Sequence, residues 1–314
     1  MPLHDEQTVV LSKVVEKLCR EGSYKSVFHR TSHEDVHMPS IEELSEAVDS
    51  LRSVLFPGYF RDSELKPETI RFYTGATLDR ASRILHDQIK RGFCFSCDAG
   101  KGCNSCEDAA FSITERFMEK LPLIRELLAS DAEAAFEGDP AAKSIGEAIF
   151  CYPSIKAVTN YRIAHELYLL EVPLIPRIIT EMAHSQTGID IHPGADIGRR
   201  FFIDHGTGTV IGETCIIGEN VRLYQNVTLG AKSFPLDKEG KPVKGIPRHP
   251  VVEDNVIIYS GATILGRVTI GSGAEIGGNV WIVEDVPPYS KLRQRGEFRE
   301  NILDRDISDK KEEE

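Results

Sequence analysis

From Ile189 the chain reads IDIHPGADIGRRFFIDHGTGTVIGETCIIGENVRLYQNVTLG, ending at Gly230, and its aliphatic residues recur every six positions. A strand buries every second residue and a helix every third or fourth, so six belongs to neither. One register continues from Ile191, Ile197 and Ile203 to Ile211, Ile217, Leu223 and Leu229, and then from Val252 through Ile258, Ile264, Ile270 and Ile276 to Ile282. Two residues earlier sits a second small or β-branched set, among them Ala195, Thr209, Cys215, Val221, Val227, Val256, Ala262, Val268, Ala274 and Val280. Short strands stacked as rungs, each burying one aliphatic ladder per face, produce this period, so a parallel β-helix is expected over Ile189–Val286.

The ladder breaks twice. Between Ile203 and Ile211 two extra residues bulge out at Asp204-His205-Gly206-Thr207-Gly208, and between Leu229 and Val252 a longer segment, Ala231 to His249, is ejected. A repeat keeps its core by keeping its period, so insertions are displayed outside the core, where rigidly held loops carry chemistry.

Upstream, residues 1 to about 183 read as helical. Val9, Val10, Val14, Val15 and Leu18 share one helical face, as do Ile41, Leu44, Val48, Leu51 and Leu55, with Pro57-Gly58 ending the second run. Further amphipathic runs span Pro67–Arg91, Asp108–Ser130 and Ser154–Leu170. Asp139-Pro140-Ala141 predicts a turn with Asp139 as a helix cap and Pro140 just inside the helix. The expected class is therefore α+β: a helical domain over 1–183, a β-helix over 184–290 with an ejected loop at 231–249, and a charged tail over 291–314 after Val286-Pro287-Pro288 stops the repeat.

Composition excludes several functions. A net charge of −12 argues against nucleic-acid binding, which needs a basic face. No apolar run reaches membrane-spanning length and the first residues lack the features of a secretory leader, so a cytoplasmic protein with no membrane partner is expected. Seven cysteines, an odd number, do not suggest a secreted disulfide framework. Four of them, Cys94, Cys97, Cys103 and Cys106, form two C-x-x-C pairs inside the helical region. Their thiols fit one tetrahedral cation such as a structural zinc, an iron–sulfur cluster, or a redox-active dithiol pair without metal.

Asp190 opens the first rung and His205 sits on the bulge, so a chain wound in coils of three hexads can bring them close. An imidazole oriented by a carboxylate is a general base for an alcohol or amine nucleophile. The plain alternative is an ordinary surface pair. Arg248-His249-Pro250 closes the ejected loop: an arginine suits bidentate capture of a carboxylate, and His249 can bond the same ligand, although such residues are also common as solvated loop positions. The loop lysines Lys232, Lys238, Lys241 and Lys244 are solvated charges that a phosphate-bearing cofactor on this side would meet.

These motifs, in order, resemble those of the serine O-acetyltransferases. The resemblance rests on Asp190-Ile-His-Pro-Gly-Ala-Asp-Ile-Gly, Asp204-His205-Gly-Thr-Gly, Ile211-Gly-Glu213-Thr, Gln225-Asn-Val-Thr-Leu-Gly and Arg248-His249-Pro250, and upstream on Asp139-Pro-Ala and Tyr161-Arg-Ile-Ala-His165. It implies a left-handed β-helix behind a helical domain, assembled as a homotrimer or dimer of trimers with active sites between neighbouring β-helices. It implies transfer of acetyl from acetyl-CoA to L-serine, with L-cysteine as an inhibitor. His205 is then the catalytic base and Asp190 its partner; Asp139, Asp204, Arg248 and His249 hold serine, Glu213 supports them, and acetyl-CoA lies along the groove between subunits, where the loop residues Lys232 and Lys244 are the candidate contacts read from the residues themselves. The loop 231–245 is longer than the family's usual Gly-rich one. The chain ends in Glu314 in place of the isoleucine that many members insert into cysteine synthase, so that complex is not expected. Other readings of the repeat are acetylation of an amino sugar or homoserine, a zinc lyase built on three interface histidines, and a non-catalytic trimeric scaffold. The lyase wants closely spaced rung histidines, where this chain offers only His192, His205 and His249, and the scaffold leaves both bulges without a role.

Overall fold

Every aliphatic of the six-residue register falls on the inner side of a two- or three-residue strand, and all thirteen from Ile191 to Ile282 are buried. The computed structural model describes residues 5–24, 37–60, 65–96, 104–233 and 235–294. Fourteen short strands follow the helices among these residues: β1 (Asp190–Ile191), β2 (Asp196–Ile197), β3 (Phe202–Ile203), β4 (Val210–Ile211), β5 (Ile216–Ile217), β6 (Arg222–Leu223), β7 (Thr228–Gly230), β8 (Val251–Val252), β9 (Ile257–Ile258), β10 (Thr263–Leu265), β11 (Thr269–Ile270), β12 (Glu275–Ile276), β13 (Trp281–Ile282) and β14 (Lys291–Leu292).

Up to β13 the strands pair in parallel with every third neighbour, and β14 pairs with β12. One sheet runs β1-β4-β7-β10-β13, a second β2-β5-β8-β11 and a third β3-β6-β9-β12-β14. The chain thus winds round three faces, and the residues between strands turn the corners. Register gives the length of each coil: Asp190 pairs with Val210, Val210 with Thr228, Thr228 with Thr263 and Thr263 with Trp281. The steps are 20, 18, 35 and 18 residues, so the first coil carries two extra residues and the third seventeen, where the six-residue period breaks. Pro287-Pro288 does not stop the ladder. Val286 bridges to Ile270 and β14 pairs with β12, completing a fifth coil, because both prolines sit at a corner where no ladder N–H is needed. The tail beyond residue 294 lies outside the described residues.

Eight helices precede the strands among the described residues: α1 (Asp5–Leu18), α2 (Glu21–Tyr24), α3 (Ile41–Leu55), α4 (Ile70–Ser96), α5 (Asn104–Gly138), α6 (Ile145–Cys151), α7 (Pro153–Leu169) and α8 (Ile175–Thr187). Ser40 caps α3, its Oγ accepting the Glu43 N–H at 3.2 Å, and the stripe Leu44, Ala47, Val48, Leu51 and Leu55 buries against α4 and α5. The stripe of α1 is different: Val9, Val10, Leu11, Val14, Val15 and Leu18 are exposed. Helix α5 runs through Pro122 and past Ser130 to Gly138, farther than the apolar run from Asp108 implies. The cap of α6 is Ser144, whose Oγ accepts the Glu147 N–H at 3.1 Å, and not Asp139, which closes the preceding turn by accepting the Ala141 N–H on Oδ1 at 2.8 Å. Pro140 therefore lies in the turn.

Helix α7 docks the helices on the first coil through the motif Tyr161-Arg-Ile-Ala-His165. The Tyr161 hydroxyl donates to Ala195 O at 2.6 Å and the His165 Nδ1–H to Pro193 O at 2.8 Å, while the Arg162 guanidinium reaches Ile197 O and Gly198 O at 3.1 and 2.8 Å. Gly188, in the left-handed conformation at φ 71°, ends α8 and turns the chain into β1.

Candidate active site

The two insertions put polar residues on two different corners of the β-helix. The short one lies between β3 and β4, where the third face meets the first. Here the Asp204 N–H donates to Leu223 O at 2.8 Å, fixing the start of the bulge to the coil below. His205 follows at φ 58°, a left-handed conformation that costs a non-glycine residue about 1–3 kcal/mol. Its imidazole stands out from the scaffold with a side chain 71% exposed, Nδ1 lying 3.6 Å from Asp204 Oδ1.

Asp139 reaches this corner from the helices. Gly138, the last residue of α5, lies against β3 so closely that a Cβ there would sit 2.8 Å from Phe202 Cδ1; the close approach carries the next residue to the bulge. The Asp139 carboxylate accepts the Ala141 N–H on Oδ1 and the Tyr152 hydroxyl on Oδ2. The Tyr152 bond, then that of Ala141, holds the Asp139 carboxyl below the usual carboxylate range, and His205 adds to the effect. Burial pushes the Asp204 carboxyl up, the charge of Asp139 adds to this, and His205 opposes it. Two carboxylates and an imidazole thus share one electrostatic neighbourhood, suited to a cationic group and a hydroxyl proton.

The second corner, where the first face meets the second, collects Glu213 and Thr214 from the turn after β4 and Arg248 and His249 from the end of the long loop. Arg248 Nη2 donates to Glu213 Oε2 at 2.6 Å, with both side chains mostly buried. Thr214 Oγ1 accepts the N–H groups of Arg248 and His249 at 2.9 and 3.1 Å, which anchors the loop's return. The Thr214 N–H in turn donates to His249 Nδ1 at 3.1 Å, so Nδ1 is the unprotonated nitrogen and neutral His249 carries its proton on Nε2. Burial, with Arg248 next, pushes the His249 imidazole down to about 4, so at neutral pH it is an uncharged donor. Gly212 makes room for it: a Cβ at that position would lie 2.1 Å from His249 Cδ2. Arg267 Nη1 donates to Thr214 O and His249 O at 2.7 and 3.0 Å and locks the corner.

The structure therefore brings Asp139, Asp204 and His205 together, and separately Glu213, Arg248 and His249. Asp190 starts β1 beside the bulge, where a Cβ on Gly206 would sit 2.5 Å from Ile189 Cδ1, and its carboxylate is grouped with Glu181 and His184, whose ligand atoms all lie within 4.8 Å of one another. Among the described residues no hydrogen bond or ion pair joins Asp190 to His205. His192 is half-buried, accepts the Gly194 N–H on Nδ1 at 3.0 Å and is held below its usual range by burial. Lys232 and Lys244 are exposed on the long loop, whose tip is closed by a bridge between Leu236 and Pro242. Cys94 and Cys106 are buried near facing ends of α4 and α5; Cys97 and Cys103 lie outside the described residues. Sequence reasoning passed over Tyr152, Thr214 and Arg267. The signal for Tyr152 was the Tyr-Pro start of α7, and for Thr214 its place beside Glu213; nothing in the pattern marked Arg267.

Comparison with known proteins adds to this geometry. The family model of the bacterial transferase hexapeptide (six repeats) matches residues 249–283. A serine acetyltransferase of Synechococcus elongatus, plasmid-encoded, is 50% identical over 289 residues, 90% of this chain and 90% of its own length. That of Bacillus subtilis is 45% identical over 166 residues, 53% of this chain and 72% of its own. Among solved structures, serine acetyltransferase 1 of Entamoeba histolytica in complex with L-cysteine superposes with a TM-score of 0.70 at 36% identity, covering 90% of this chain and 97% of its own. Soybean serine acetyltransferase complexed with serine gives a TM-score of 0.51 at 29% identity, covering 79% of this chain and 95% of its own.

Proposed function

The chain belongs to the serine acetyltransferases, acyltransferases that make O-acetyl-L-serine, and on that premise we propose that His205 is the general base of the reaction and that each active site is shared by two protomers. The observation that carries the reading is the exposed imidazole of His205 on a rigid bulge, flanked by the carboxylates of Asp139 and Asp204.

Acetyl-CoA is the acyl donor. The serine ammonium lies against Asp139 and Asp204, which brings its hydroxyl to His205. The imidazole takes the hydroxyl proton as the oxygen attacks the thioester carbonyl; the tetrahedral intermediate collapses, the carbon–sulfur bond breaks, and the imidazolium returns the proton to the CoA thiolate. The serine carboxylate needs a cation, and Arg248, held by Glu213, supplies it, with the Nε2–H of neutral His249 beside it. Those residues occupy the other edge of the first face within one chain. A ring of three β-helices, wound left-handed, sets that edge of one protomer against the His205 edge of the next, and a closed heterologous interface of this kind repeats the site at each junction. A dimer of such trimers preserves the same sites. Asp190 completes the base by orienting His205 in the occupied site, and Lys232 and Lys244 receive CoA phosphates along the long loop.

L-cysteine, bound in the Entamoeba histolytica relative, differs from serine by one chalcogen and presents the same ammonium and carboxylate, so it competes for these residues. The domain division is a helical unit to about residue 183 and the β-helix beyond it. For Cys94, Cys97, Cys103 and Cys106 the readings are a structural zinc, an iron–sulfur cluster and a metal-free dithiol pair, all away from the reaction, and metal analysis of the purified protein decides among them. Among the described residues no helix is long and apolar enough to cross a membrane. An acetyl-CoA-dependent thiol-release assay across serine, homoserine, threonine and amino sugars tests the acceptor: serine should give by far the highest kcat/KM, and preference for any other acceptor would overturn the assignment.

A further inference from the structure

Asp139 faces a difficulty that the reaction makes plain. It must stay ionised and aimed at the substrate ammonium while another carboxylate, Asp204, shares its neighbourhood. A cationic partner would hold it but would cancel the charge that attracts the substrate. The protein uses a neutral donor instead: the Tyr152 hydroxyl donates to Asp139 Oδ2, and the Ala141 N–H occupies Oδ1. The ring is placed by the backbone, because Tyr152 sits between α6 and α7 with its N–H donating to Ala148 O at 3.2 Å, while Pro153 starts the next helix. It also lines a small cavity with Phe60, Phe150 and Ile155, so its packing does not depend on the hydroxyl.

We infer that Tyr152 is a positioning residue for the acceptor site, its hydroxyl fixing the Asp139 carboxylate toward the substrate ammonium without neutralising it. This rests on the reading of Asp139 as a serine-binding residue. Burial and the adjoining Asp139 push the Tyr152 hydroxyl far above its usual range, so it stays a protonated donor throughout the working pH of the enzyme. The role is one of affinity and selection: an acceptor bearing an ammonium group gains from a fixed carboxylate, and acetyl-CoA does not.

The test is a double-mutant cycle read as steady-state kinetics of wild type, Tyr152→Phe, Asp139→Asn and the double variant, with thermal melts confirming that each is folded. The phenylalanine keeps the ring. Loss of a hydrogen bond to a charged group should raise the serine KM of Tyr152→Phe roughly five- to twenty-fold, leaving the acetyl-CoA KM within about twofold. Asp139→Asn should raise the serine KM at least as far, and adding Tyr152→Phe to it should change nothing more, since the hydroxyl acts only through the carboxylate. An unchanged serine KM in Tyr152→Phe beside a raised one in Asp139→Asn would overturn the role of Tyr152 and leave the site intact. A further rise in the double variant would also overturn it, by showing a route that bypasses Asp139. An unaffected Asp139→Asn would sink the reading of Asp139 itself.

Discussion

Arg162 and Asp131 form a buried, two-pronged ion pair, with Nε to Oδ2 at 2.7 Å and Nη2 to Oδ1 at 3.0 Å. Neither spends its remaining capacity idly. The guanidinium also donates to Ile197 O and Gly198 O, and Asp131 Oδ1 accepts the Phe201 N–H at 2.9 Å. One pair thus ties α7 and α5, the helix that delivers Asp139, to the first coil.

Breaking a buried pair from one side leaves an uncompensated charge, which costs about 3–5 kcal/mol. Arg162→Met should therefore lower stability by that amount in chemical denaturation, and Asp131→Leu combined with Arg162→Met should be less damaging than Arg162→Met alone. A double variant that is the weaker of the two would mean that the backbone contacts, and not the paired charges, dominate.

His249 sets a pH dependence of stability. Its folded-state value of about 4 lies below the ordinary histidine value of about 6.5, so the unfolded chain takes up a proton that the folded one refuses as pH falls between them. The resulting stability is complete above about pH 6.5 and declines toward pH 4, by up to about 3 kcal/mol. Denaturation of wild type and His249→Gln at pH 7 and pH 4.5 isolates it: the drop should be larger in wild type, and equal drops would contradict the buried neutral imidazole.

Arg248→Ala should raise the serine KM far more than the acetyl-CoA KM, because a charge-assisted contact to a carboxylate is worth about 1.5–3 kcal/mol, roughly 10- to 150-fold. Equal effects on both substrates would assign the arginine, through its pair with Glu213, to the folding of the loop instead.

The β-helix was legible because its period is a packing rule: every residue of the aliphatic register is buried, and both breaks in the period are the breaks in strand register. The helices were legible as amphipathic stripes, less so their ends. Pro122 sits inside α5, and the cap that Asp139 seemed to offer belongs to Ser144, since a turn residue with a short polar side chain serves either purpose. At the site, each motif residue was visible as a residue type at a corner, but partners set by tertiary approach were not. Tyr152 meets Asp139 across 13 positions, and Thr214 anchors Arg248 and His249 across 34 and 35, distances over which no local pattern speaks.

A site divided between protomers makes a sharp prediction for mixtures. Oligomers of His205→Ala or of Arg248→Ala alone should be poor enzymes at low serine, yet their co-assembly should recover about a quarter of wild-type activity, because one junction in four joins an intact His205 edge to an intact Arg248 edge. Activity no higher than the mean of the two parents would place both residues in the site of a single chain.

The most direct test of the account is the rate of acetyl-CoA-dependent thiol release by His205→Ala, purified and shown to melt and assemble like wild type, at saturating serine and acetyl-CoA. A general base contributes typically 10²–10⁴-fold, so kcat should fall by about that range with both KM values little changed. A folded His205→Ala enzyme that turns over at the wild-type rate would contradict the mechanism.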